Sequence, residues 1–237
     1  MLTTRQIRTG LAGFAVIGGA LLSVPGAASA ATHPRTFQGN RALLEQQLAS
    51  RAAQLTRLSA DVTGASATLG TDAATLLKNI ASANSSIQAL VVKVPTDTTS
   101  AQLKADRTAM LAQSRVFAVL TPQVFLTIEA HTIAAQVVTF QANESALQGS
   151  VNALKGQHGF DNAVNHLTAF VRAVNIANEN AANVTIAVLA QTPADYPGDT
   201  HVFTTANSEL LRADLSLAHA SYDETVIGLA SGGYTGA

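Results

Sequence analysis

The chain has 237 residues, 14 basic against 15 acidic side chains, no cysteine, and only 12% charged residues. A net charge of −1 argues against nucleic acid or a polybasic membrane patch as a partner. Without cysteine, disulfides and an N-terminal lipid-linked thiol are excluded, and the length suits one domain or two small ones.

The first thirty residues read as a signal peptide. Arg5 and Arg8 give a positive start, and Leu11 to Val24 form an apolar run. That run is about fourteen residues, short of the roughly twenty a bilayer span needs. Pro25-Gly26 breaks it, and Ala28-Ser29-Ala30 supplies the small-x-small cleavage pattern, with Ala31 the expected mature start. No adjacent arginines occur in the leader, so the route is of the Sec type. The mature product is expected to be secreted or envelope-associated, with a net charge of about −3 and no transmembrane span. Residues 31–39 are expected to be a flexible N-terminal segment and 231–237 a flexible tail.

Everything between reads as helix, so the fold class is all-α: an elongated antiparallel bundle over 40–230 with coiled-coil-like long helices. Leu44, Leu48, Ala52, Leu55, Leu58 and Val62 recur at threes and fours. Leu69, Ala73, Leu76, Ile80, Ala83, Ile87, Leu90 and Val94 continue the row. This 3.5-residue repeat is the seam of a coiled coil or bundle helix, with a kink or short loop expected at Gly64 and Gly70. Val94-Pro95-Thr96-Asp97-Thr98 is a stop, and Thr99-Ser100-Ala101-Gln102 has the form of a capping box. The next helix carries Leu103, Met110, Leu111, Phe117 and Leu120. Thr121-Pro122 then reads as a fresh start, since Pro is well suited to the first helical position. Leu126, Ile133, Val137, Phe140, Leu147, Val151 and Leu154 follow, up to the turn Gly156-Gln157-His158-Gly159. Val164, Leu167, Val171, Val174, Ala181 and Val188 mark the penultimate helix. Phe203, Ala206, Leu210, Ala213, Leu217, Ala220 and Ile227 mark the last.

Two arrangements fit these elements. In the preferred one, 40–94 and 99–155 pair as a long hairpin that 160–192 and 202–229 cover only in part, leaving a protruding hairpin over 72–120. In the other, the chain folds back at Gly64–Gly70 and at Thr121-Pro122 into a compact six-helix globule.

Candidate sites are few. Residues 116–128 are rich in β-branched and aromatic side chains but flanked by helical periodicity, so they read as a buried central helix. If uncovered, Phe117 and Phe125 would form an apolar interaction surface. None of the six histidines stands in a zinc spacing, and no GxSxG, phosphate-loop or dinucleotide motif occurs. No catalytic residue, cofactor or metal is therefore expected. Asn178 falls near the seam of its helix, where an asparagine would fix register.

The run Val94-Pro95-Thr96-Asp97-Thr98-Thr99, then Leu103-Lys104-Ala105-Asp106-Arg107 and Arg115-Val116-Phe117-Ala118-Val119-Leu120-Thr121-Pro122-Gln123-Val124, resembles uncharacterised secreted helical proteins of high-GC actinobacteria. The excess of arginine over lysine and the alanine content agree with that resemblance. It implies export and a helical architecture and brings no catalytic residue with it. The functional expectation is a non-enzymatic exported bundle acting by protein–protein or envelope contact, with self-association its simplest form. The alternative is a carrier holding a small apolar or metal ligand in the bundle core, with Asn178 together with His131 or His166 as polar contacts.

Overall fold

The computed structural model describes residues 36–197 and 200–232. The leader, its cleavage site and most of the expected tail lie outside these. The described chain is α1 (Phe37–Gly64), α2 (Ser66–Leu69), α3 (Thr71–Lys93), a 3-10 turn (Val94–Thr96), α4 (Ser100–Ala112), α5 (Ser114–Ala153), α6 (Phe160–Leu189) and α7 (Thr200–Ala230). No strand occurs among the described residues, and the fold is all-α with antiparallel packing.

Local chemistry sets the helix ends. Thr36 caps α1 by accepting from the Gly39 N–H at 3.1 Å. The capping box before α4 forms reciprocally: Gln102 N–H donates to Thr99 Oγ1 at 3.3 Å and Thr99 N–H to Gln102 Oε1 at 3.0 Å. Gly70 and Gly159 take φ of 56° and 97°, a left-handed geometry that side chains resist, and each begins a new helix.

The reversal at Gly64–Gly70 lets α3 return along α1, so that Leu44, Leu48, Leu55, Leu58 and Val62 share one core with Leu76, Ile80, Ala83 and Ile87. The expected protruding hairpin over 72–120 is therefore absent: its apolar row meets α1 instead of solvent. The first half of the α4–α5 rod closes this three-helix unit, with α1 running beside it. Arg51 donates to Ser114 Oγ at 3.0 Å, and Gln54 to Thr121 Oγ1 at 3.3 Å. From Leu126 onward, α5 joins a second core with α6 and α7. The described residues form two three-helix bundles in tandem that share one helical rod.

That rod corrects the reading of Thr121-Pro122 as a helix start. Pro122 lies inside α5, and residues 100–153 form one 54-residue helical run, about 80 Å long at 1.5 Å per residue. A proline there loses one backbone bond and costs about 3 kcal/mol. The neighbours offset this, because Phe117, Val119, Leu120, Val124 and Leu126 are all buried at about 1.5–3 kcal/mol each. The irregularity falls earlier, at Gln113, whose N–H is shared between Ala109 O and Met110 O at 3.3 and 3.2 Å. By length and composition this rod could cross a membrane, but 56% of its most apolar window is buried inside the protein, as suits a core helix.

In α6 the buried row is Ala163, Leu167, Phe170, Val174, Ala177, Ala181, Val184 and Val188. This is an unbroken heptad seam, one residue out of step with Val164 and Val171 as read from the sequence. The phase is set by Phe170, which is fully buried with its ring centroid 6.0 Å from that of Phe140. Asn178 consequently lies on the exposed face instead of near the seam.

Candidate functional site

The segment singled out in the sequence lies where the two cores meet. Phe117 is 4% exposed, and the Arg51 guanidinium stands over its ring at 5.1 Å. Burial pushes the Arg51 pKa below its usual value. Phe125 is half-buried against the first core. The patch expected from Phe117 and Phe125 is thus covered within the chain, because α5 is enclosed on nearly every side at this level. Beside them, Gln123 is 3% exposed and donates through Nε2 to Val188 O at 3.0 Å and Gln191 O at 2.7 Å. One amide thereby joins α5 to two carbonyls at and just beyond the C-terminal end of α6, one of which, Val188 O, also accepts from the Gln191 N–H at 3.2 Å.

Polar groups elsewhere in the cores are mostly paired. His131 Nε2 meets Asp72 Oδ2 at 2.8 Å, linking α5 to α3. His166 Nδ1 meets Asp223 Oδ1 at 2.7 Å, and Asn143 Nδ2 donates to Glu224 Oε1 at 3.0 Å, forming a polar layer across α5, α6 and α7. Such a layer breaks the inner seam of α7 after Ala220 and fixes the register of the second bundle. His131 and His166 stand in separate pairs and Asn178 is exposed, so the three do not converge on one cavity. Among the described residues no three histidine or carboxylate groups gather as a metal site.

Some carboxyl groups are less well provided for. Burial and the nearby Asp214 charge raise the pKa of Glu129, and burial raises that of Asp214. At the outer end of the first bundle, Lys93 pairs with Asp106, and Asp97 lies within hydrogen-bonding reach of the same carboxylate. Asp97 and Asp106 are 3% and 2% exposed. Burial, followed by the Asp106 charge, holds the Asp97 carboxyl above its ordinary range. Two open grooves lie on the described surface: one of about 560 Å³ lined by Leu167, Val171, Arg172, Ile176 and Glu179, and one of about 150 Å³ lined by Leu44, Leu103 and Arg107.

The feature with most chemical consequence is the outer face of α7. Its inner row, Ala206, Leu210, Ala213, Leu217, Ala220 and Ile227, fills the second core. A second row at the same heptad spacing, Ser208, Leu211, Leu215, Ala218, Tyr222, Thr225 and Leu229, faces solvent. Its large members are 46%, 60%, 61% and 51% exposed at Leu211, Leu215, Tyr222 and Leu229. A solvated helix face is ordinarily polar. This one holds no charge along its line, and Arg212 and His219 flank it. The inner row was legible in the sequence, whereas the outer one was hidden because α7 is apolar on two sides and only one was assigned. No protein-family model, curated protein or solved structure matches this chain.

Proposed function

We propose that this is an exported, non-enzymatic helical protein, of the kind its sequence resembles in high-GC actinobacteria, and that it acts by docking another helical surface on the outer face of α7. The observation that carries this reading is the exposed heptad row Leu211, Leu215, Ala218, Tyr222 and Leu229. An apolar row repeating every 3.5 residues is what a helix presents to a second helix along its length. Isolated exposed leucines carry no such meaning, but four large side chains in register on one helix form a continuous strip. The leader-like first thirty residues supply export, and the low charge of the chain favours contact through apolar surface.

The test uses the full chain made in its own host. A photo-crosslinker on a single cysteine at Ala218 should give discrete adducts, and the same probe at Thr168, an exposed position on α6, should not. Adding Leu211→Glu and Leu215→Glu should remove the Ala218 adducts while leaving helicity unchanged, since both side chains are largely outside the core. Equal labelling from the two probe positions would sink the proposal.

A further inference from the structure

The outer row of α7 also carries a pattern that selects its occupant. Laid antiparallel on itself, the row sets Ser208, Leu211 and Leu215 against Thr225, Tyr222 and Ala218, and Leu229 against the exposed Thr204 of the same helix. Ser208 then faces a second hydroxyl, and each leucine faces a residue of different size. We infer that the occupant is a second copy of this chain, with its α7 antiparallel about a two-fold axis between Ser216 and Leu217. This rests on the reading of α7 as a docking face.

In that pairing Leu211 packs against the partner's Tyr222, Leu215 against the partner's Ala218, and Ser208 lies near the partner's Thr225. Large beside small is how facing side chains interdigitate at interior density. A parallel pairing would instead stack Tyr222 on the partner's Tyr222 and Ala218 on the partner's Ala218, leaving a bulge and then a gap. The flanks permit the antiparallel choice. About that axis Arg212 comes level with the partner's Ser221 and His219 with the partner's Asp214, while Glu224, level with the partner's Glu209, is engaged with Asn143, and Asp223 with His166. An isologous contact of this kind closes at two copies.

The area sets the strength. Four large side chains, each about half exposed, make a narrow strip whose pairing falls at the lower end of the size range of specific interfaces. The expected state is a dimer that dissociates on dilution.

The experiment is sedimentation of the mature chain across a wide concentration range, with single-cysteine variants run in parallel; the protein has no native cysteine to confuse the result. The mass should double as concentration rises, and Leu215→Glu should weaken the dimer by at least about tenfold. Under mild oxidation Ala218→Cys, beside the axis, should form a disulfide dimer. Leu229→Cys, whose equivalents are roughly 37 Å apart in the antiparallel pair at 1.5 Å per residue, should not. Disulfide formation by Leu229→Cys, with or without that of Ala218→Cys, would overturn the antiparallel pairing, because a parallel pair brings both residues against their own equivalents. A monomer at every concentration with no Ala218→Cys disulfide would overturn the second copy. In that case, Ala218 photo-adducts to a different protein, lost in Leu211→Glu/Leu215→Glu, leave the docking face standing; absence of any adduct removes both.

Discussion

The two bundles solve the same packing problem with different side chains. The first core is filled by Leu44, Leu48, Leu55, Leu58, Leu69, Leu76, Ile80 and Ile87, with alanine only at 73 and 83. The second adds buried alanines at 130, 163, 173, 177, 181, 206, 213 and 220 to its larger residues, and all but one of those alanines lie on α6 and α7, between Leu167, Phe170, Leu210, Leu217 and Ile227. Helix separation depends on the side chains at the contact, so the alanine rows let α6 and α7 make the most extensive contact in the molecule. Each alanine brings little transfer energy. Along α6 and α7 the apolar burial is therefore concentrated in fewer large side chains than along α1 and α3.

Phe170→Ala tests that difference most severely. It should cost about 3–5 kcal/mol and make the second bundle unfold first, giving two transitions in urea followed by circular dichroism. Leu76→Ala, fully buried in the first core, should cost about 2–4 kcal/mol. If the two variants shift the denaturation midpoint equally, stability is not concentrated as described. Gln123→Ala probes the link between the bundles. Losing both bonds to the end of α6 should cost about 1–3 kcal/mol and reduce the steepness of unfolding as the bundles uncouple; an unchanged slope would contradict that role.

The smallest expected effect is on pH dependence. Asp97, Glu129 and Asp214 all have raised pKa values in the fold. A carboxyl that holds its proton more tightly when folded favours the folded state below its unfolded pKa. That contribution is lost as pH rises through the folded value. The urea midpoint should therefore be higher at pH 5 than at pH 7. Asp97→Asn, which cannot ionise, should raise the midpoint at pH 7 and flatten the profile. A midpoint for Asp97→Asn below the parent at pH 7 would mean that the Asp97 charge is favourable where it stands.

Much of this was legible along the chain. The rows from Leu44 to Val94, the capping box at Thr99 and the inner row of α7 were all readable, because each depends on residues within a turn or two of one another. Pro122 misled because proline's local preference for a helix start was outweighed by burial on nearly every side, which comes from helices distant in sequence. Val164 and Val171 misled in α6 because each stands one position after the residue that is buried, Ala163 or Phe170, and gives nearly the same periodicity; Phe170 decides between the two rows only when Phe140 is beside it. Gln123, His166 and Asp223 carry no local signature, since their partners lie 57 to 68 residues away.

The sequence by itself determined that the described chain is helical, where most helices begin and end, and which side of most of them is apolar. Helix propensity, capping and heptad spacing act over a few residues and are written in order. Only the tertiary structure decided that α3 returns along α1, that one rod serves two cores, and that α7 keeps one apolar row inside and leaves the other outside. Those outcomes depend on which apolar faces compete for one another across the whole chain, and a heptad row states that a partner is needed without stating which one.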